Sequence, residues 1–259
     1  GDVLVVTIDK PDDPLNKVDG RMHHELTHLF PCLQAERNAR SILLAGTDAA
    51  FTAGGDFGWF PEFQKPGYAA DLRLDGKSLI WDLLDVHLPL VCAVTGHAMG
   101  LGASIALLCD VVIMAEGARI GDPHVNIGLV AGDGGAITWP LAMSLLAAKE
   151  YILTGDRIPA KEAHRLGLAN RAVPDGECFG AALELAHRLA KSPPQAVQDT
   201  KRALNQHLAR AASGVVEFCV SAEYRSFDTP ELRANIARFA EKGASASLRS
   251  SGSISEMSN

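Results

Sequence analysis

Two apolar runs in this chain each feed directly into closely spaced glycines, and this constrains the possible fold more than any other feature. The run at residues 41–45 leads to Phe51-Thr52-Ala53-Gly54-Gly55-Asp56-Phe57, and the run at 90–94 leads to Thr95-Gly96-His97-Ala98-Met99-Gly100-Leu101-Gly102. Paired glycines permit positive φ and leave backbone N–H groups uncovered, although a plain turn uses the same residues. The second run continues into a helix of small residues at 100–108. The first N–H groups of a helix lack partners and carry the positive end of its dipole, so they can hold an anion or a developing oxyanion. A dinucleotide-binding G-x-G-x-x-G fails because Ile105 stands where the third glycine belongs. No G-x-S-x-G nucleophile elbow is present.

Around these segments, short β-branched runs alternate with longer helical stretches, which is the pattern of an α/β domain. Strands are expected at residues 3–8, 41–45, 90–94 and 111–115, and helices at 19–37, 71–85 and 100–108. From residue 147 onward helical periodicity dominates, with helices expected at 147–153, 159–166, 177–190, 193–211, 214–227 and 230–242. The reading is a core over residues 1–190, a helical C-terminal region over 191–242, and a Ser/Gly/Ala-rich tail over 243–259 with little to bury. No repeat of fixed period marks a solenoid or propeller.

With 47% hydrophobic and 21% charged residues, the 259-residue chain can build a sizeable core. A net charge of −7 with no basic cluster argues against a nucleic-acid partner, which needs Lys and Arg opposite its phosphates. No apolar run is long enough to suggest a membrane partner, and no signal peptide is visible. Five scattered cysteines, Cys32, Cys92, Cys109, Cys178 and Cys219, form no C-x-x-C pair. They read as reduced, mostly buried thiols of a cytoplasmic protein. His23, His24 and His28 have metal-like helical spacing but no third ligand type nearby, so they read as surface histidines and no metal is expected.

Taken together, the two glycine segments resemble the crotonase superfamily, the enoyl-CoA hydratase/isomerase family. The likeness extends along the chain: Pro14-Leu15-Asn16-Lys17-Val18 resembles the family's early Asn-Ala-Leu turn, and Gly121-Asp122-Pro123-His124 its Gly-x-Pro-Glu segment. Gly128 to Gly135 resembles the glycine run before the next helix. Leu153-Thr154-Gly155, Ala160-x-Glu162-Ala163, Gly167-Leu168-Ala169 and Phe239-Ala240-Glu241-Lys242 follow in the family's order. The resemblance implies an α/β fold, a crotonase-like spiral of ββα turns with a helical C-terminal trimerisation region, assembled as a homotrimer or a hexamer of paired trimers. It implies an acyl-CoA substrate, with coenzyme A entering as part of the substrate and no permanently bound cofactor. The implied chemistry is stabilisation of a thioester enolate by two backbone N–H groups, which map to Gly55 and Leu101. Ala53, Asp56 and Phe57 would lie along the CoA, and Phe239 and Lys242 would reach a neighbour's CoA.

The chain departs from the family where hydratases carry two glutamates: Ser104 and His124 occupy those positions. An imidazole can do acid/base work near neutral pH, and Asp133, nine residues later, can orient it or take a proton. The pair resembles that of the 6-oxocamphor hydrolase type, which cleaves a β-diketone carbon–carbon bond without CoA. Dienoyl-CoA isomerases also place an aspartate near this glycine run. The structural alternatives are a loop histidine bonded to backbone, an aspartate capping a helix, a small Ser104 that allows close packing, and Glu223 as a solvated or interface charge. Phe57, Trp59 and Phe60 read either as apolar lining or as core. Three functions follow: an acyl-CoA enzyme of hydratase or isomerase type using Gly55, Leu101, His124 and Asp133; a CoA-independent carbon–carbon hydrolase using His124 and Asp133; or a non-catalytic acyl-CoA binder.

Overall fold

A computed structural model describes residues 1–239. Among them the strands are β1 (Val3–Thr7), β2 (Ser41–Ala45), β3 (Ala50–Thr52), β4 (Leu90–Val94), β5 (His97–Met99), β6 (Val111–Ala115), β7 (Arg119–Gly121), β8 (Arg157–Pro159) and β9 (Arg171–Val173). The helices are α1 (Gly20–Gln34), α2 (Tyr68–Leu84), α3 (Leu101–Leu108), α4 (His124–Ile127), α5 (Gly135–Ala142), α6 (Leu145–Thr154), α7 (Ala160–Leu166), α8 (Cys178–Ala190) and α9 (Pro194–Ser226). A last helix, α10, occupies residues 230–239, and a short 3₁₀ turn spans Phe60–Gln64.

β1, β2, β4, β6 and β9 form a parallel sheet in the order β1-β2-β4-β6-β9, and β3, β5, β7 and β8 form a second sheet in that order. Every residue of β2 and β4 is buried, as a parallel sheet covered on both faces requires. The chain leaves the first sheet and enters the second three times, β2 to β3, β4 to β5 and β6 to β7, before turning into helix. These are the turns of a ββα spiral. One face of the large sheet is covered by α8, whose small residues Ala182 and Ala186 let it approach closely enough for Ser41 Oγ to donate to the Ala186 carbonyl at 2.8 Å. α1 buries Met22, Leu26, Phe30 and Leu33 along one stripe, and its start is capped by the Asp19 carboxylate, which accepts from Met22 N–H.

Two expectations need correction. The glycine segments are not simple turns: each holds a three-residue strand, β3 or β5, and the pairing Ala50↔His97 and Thr52↔Ala98 brings the two segments side by side. The C-terminal region is not broken between residues 211 and 214. α9 runs uninterrupted for 33 residues, and Gly214 sits within it where a Cβ would meet nothing. No described helix is long and apolar enough to cross a membrane. Cys32 is exposed and the other four cysteines are buried, all unpaired. Lys242 and the tail at 243–259 lie outside the described residues.

Candidate active site

The site forms where the two glycine segments meet. A Cβ on Gly102 would lie 2.3 Å from Thr52 Cγ2, and one on Gly54 (φ +88°) would lie 3.1 Å from the Met99 carbonyl, so only glycines allow this approach. Asn16, itself fully buried, fastens the loop beneath: its amide donates to Ile8 and Ala50 carbonyls, while Thr52 Oγ1 donates to its carbonyl. Val18 N–H donates to Gly54 O and Asp56 N–H to Val18 O, which leaves Gly55 N–H facing the other way. Leu101 opens α3. Neither Gly55 N–H nor Leu101 N–H has an acceptor among the described residues, and both residues line one cavity of about 480 Å³.

His124 packs against the same corner. A Cβ on Gly100 would lie 3.1 Å from its Cε1, so the imidazole rests on the residue just before Leu101. Its Nδ1–H donates to Asp122 Oδ1 at 2.5 Å, and its Nε2 stands 3.4 Å from Asp133 Oδ2. Ser104 Oγ donates to Asp133 Oδ1 at 3.1 Å. Asp122 is completely buried, and its Oδ2 makes no hydrogen bond. Gly135 at the start of α5 accommodates that carboxylate, since a Cβ there would fall 1.8 Å from Oδ2. Glu223 of α9 reaches the same cavity, pressed on Gly132, where a Cβ would sit 2.5 Å from its Oε2.

The charges in this corner are set by competition between burial and contact. Burial opposes the cationic form of His124, but Asp133 and Asp122 outweigh it and hold the imidazole well above its usual range. Burial raises Asp133, with the His124 charge acting against it. Burial and then the Asp133 charge push Glu223 up to about 8, so it is largely protonated at neutral pH. Asp122, His124 and Asp133 bring ligand-type atoms within 4.8 Å of one another, as a metal centre would. Both imidazole nitrogens face carboxylates, Nδ1 at 2.5 Å from Asp122 and Nε2 at 3.4 Å from Asp133.

Of the residues read from sequence, Gly55, Leu101, His124 and Asp133 meet on this cavity, joined by Ala53, Phe57 and Phe239. Trp59 and Phe60 line it as well. Phe239 stacks on Phe57 of its own chain, centroids 3.9 Å apart and planes 6° apart, so within this chain it closes the wall of its own cavity. Asp56 lies beside this lining rather than on it: its carboxylate accepts from Gly58 N–H and faces Lys17, itself on the cavity, at 4.0 Å. Glu223 is a correction, a cavity residue rather than a solvated charge. His23 is a second. It is 8% exposed and lines the cavity, while His24 and His28 are exposed as expected. Asp122 escaped the sequence reading as a site residue, since nothing in Gly121-Asp122-Pro123-His124 tells which way its side chain turns.

A ββα spiral whose glycine segments bring two N–H groups without protein acceptors to the cavity that holds a buried imidazole and its carboxylates defines an enzyme of the crotonase superfamily. The chain belongs to the enoyl-CoA hydratase/isomerase family, whose model matches residues 1–246. It is 29% identical to the short-chain-enoyl-CoA hydratase of Clostridium acetobutylicum, covering 93% of this chain and 92% of the relative. It is 32% identical to the carnitinyl-CoA dehydratase of Proteus mirabilis over 78% of this chain and 76% of that protein. Among solved structures, an enoyl-CoA hydratase/isomerase from Mycobacterium paratuberculosis superposes with a TM-score of 0.88 at 41% identity, covering 92% of this chain and 95% of the other. A β-diketone hydrolase from the cyanobacterium Anabaena, bound to (S)-3-oxocyclohexyl acetic acid, superposes at 0.77 with 29% identity over 82% and 84%.

Proposed function

We propose that this enzyme forms and consumes an enolate of an acyl-CoA thioester, with the thioester oxygen held by Gly55 N–H and Leu101 N–H and the proton moved by the Asp133–His124 pair. The observation that carries this reading is the placement of His124 against Gly100, the residue preceding the Leu101 donor, with Asp133 3.4 Å from its Nε2. Two fixed donors in a site shielded from water act where charge develops, and removal of one such donor costs about 3–4 kcal/mol in measured acyl-transfer cases. Asp133 takes a proton from the carbon next to the thioester, and the electron pair of that C–H bond moves through the carbonyl onto the oxygen between the two N–H groups. Its burial-raised basicity suits that task. Cationic His124 lowers the cost of the negative charge beside it, and the largely protonated Glu223 offers a further donor to the cavity. Return of the proton to a different carbon completes a double-bond shift. With Ser104 in place of a carboxylate, hydration by two glutamates is replaced by chemistry centred on Asp133.

The likeness to enoyl-CoA hydratases over most of the chain supports the thioester substrate, and the exposed Leu204, Val215 and Phe218 of α9 support assembly as a trimer or dimer of trimers through the helical region. The test is a panel of short enoyl-CoA thioesters, followed by conjugated-thioester absorbance and by exchange of the α-hydrogen with deuterated water. Exchange that disappears in Asp133→Asn supports the reading, and its absence in the wild type with every thioester refutes it.

A second reading is favoured by the β-diketone hydrolase likeness and by the Phe57–Phe239 stack, which occupies the wall expected to follow the CoA. In it, Asp133 takes a proton from water, the resulting hydroxide adds to one carbonyl of a β-diketone, and the carbon–carbon bond breaks. The electron pair leaves as an enolate on the second carbonyl oxygen, held by the same N–H groups, and protonation of carbon yields a keto acid. Cleavage of a cyclic diketone without CoA separates it from the first reading.

A further inference from the structure

A second histidine of the cavity is not used by either chemistry. His23 lies on α1, 8% exposed, and its ring lines the cavity together with Trp59, Phe63, Leu72 and Gly76. No described residue makes a hydrogen bond to that ring. The nearest carboxylate oxygen, on the half-exposed Asp75, is 4.0 Å from Nδ1, beyond hydrogen-bond distance. The neighbouring polar group is already committed, since Trp59 Nε1 donates to Tyr68 Oη at 2.7 Å. Trp59 meets the imidazole only through its ring, at 5.4 Å between centroids. The rest of this part of the lining is mostly apolar, with Arg73 also on the cavity, and a Cβ on Gly76 would meet nothing.

A polar group that faces a cavity without a protein partner is left to bond whatever enters, and sites built around such groups select ligands that complete the bond. Burial pushes the His23 pKa down to about 4, with only partial opposition from Asp75, so the ring presents one donor and one acceptor near neutral pH. That combination matches an uncharged oxygen better than a carboxylate or phosphate. We propose that His23 is a specificity-determining residue that hydrogen-bonds a hydroxyl or oxo group carried by the substrate away from its reacting carbonyl. The assignment deepens the reading of the same cavity as a carbonyl-substrate site and rests on it, but it does not depend on whether that carbonyl is a thioester or a diketone.

The experiment is calorimetric binding to the full chain of two ligand pairs: hexanoyl-CoA with its chain-hydroxylated counterpart, and an alkyl cyclic diketone with its hydroxyalkyl counterpart. Wild type, His23→Phe and His23→Gln are compared, with melting temperature confirming that each is folded. The expected result is a loss of about tenfold for the oxygenated member in His23→Phe, the scale of one buried hydrogen bond. The unsubstituted member changes by less than about twofold on the same scale, and His23→Gln recovers part of the loss because its amide also offers a donor and an acceptor. Equal change for both members of each pair, or no change for either, overturns the assignment. Should only the diketones bind and still show the split, the thioester reading falls and the His23 assignment stands. Binding of neither class by the folded wild type overturns both.

Discussion

His124 and His23 share one cavity and are both largely shielded from water, yet their protonation states are opposite. At the glycine corner, His124 touches two carboxylates, and their charges overcome the burial that would otherwise strip its proton. At the apolar wall, His23 has only Asp75 at 4.0 Å, burial prevails, and its pKa falls to about 4. The difference shows that a carboxylate in contact, rather than burial itself, decides whether an imidazole in this cavity is a cation or a neutral hydrogen-bonding group. One corner is therefore built to handle charge that appears during reaction, and the other to discriminate among uncharged groups at rest.

The sharpest way to break this contrast is to remove charge from the reactive corner. Asp133→Asn is expected to lower turnover by about 10²–10⁴-fold, the range for loss of a positioned acid/base group. The measurement is kcat on whichever substrate is turned over, with binding retained. Next in size is Asp122→Asn, which strands a buried imidazolium beside a neutral amide. Breaking one side of such a pair costs about 3 kcal/mol, read as a lower denaturation midpoint, and NMR titration of the His124 ring should show its pKa moving down towards His23.

At the apolar wall the expected effect is smaller and depends on pH. In the folded chain His23 stays neutral down to about 4, whereas in the unfolded chain it binds a proton below about 6.5. The unfolded state thus gains protons as the pH drops through that window, and stability present above it is lost on acidification. The His23 contribution to that loss is about 2 kcal/mol at pH 5, and His23→Phe should abolish it, as measured by urea unfolding at two pH values. The smallest effect is expected for Ser104→Ala, which removes the 3.1 Å bond to Asp133 and leaves the carboxylate in place. A single hydrogen bond of about 1 kcal/mol corresponds to a fewfold drop in turnover.

Much of this was legible in the sequence, for identifiable reasons. The buried strands β2 and β4 stand out because a parallel sheet covered on both faces selects unbroken apolar runs. β3, β5 and β7 did not, because three residues are too few for a period to register and glycine chemistry masks them. Gly214 looked like a helix end but is only a tolerated residue within α9. At the site, Gly55, Leu101, His124 and Asp133 could be singled out through the family resemblance of the glycine segments and the turns that follow them. Asp122 could not, since a Pro-containing turn does not reveal side-chain direction, and Glu223, on a helix some ninety residues downstream, could be read either as a carboxylate approaching the pocket or as a solvated or interface charge. His23 was recoverable in principle: with Thr27 and Phe30 it lies at i, i+4 and i+7 on the buried face of α1.

The most direct test of the central claim follows exchange of the α-hydrogen of a bound acyl-CoA with deuterated water in wild type, His124→Ala and Asp133→Asn. Exchange in the wild type that drops at least about a hundredfold in both variants, while thioester binding persists, is the result expected if Asp133 and His124 move a proton beside an oxygen held by Gly55 and Leu101. Exchange that survives both substitutions, or a wild type that binds thioesters and never exchanges, would contradict it.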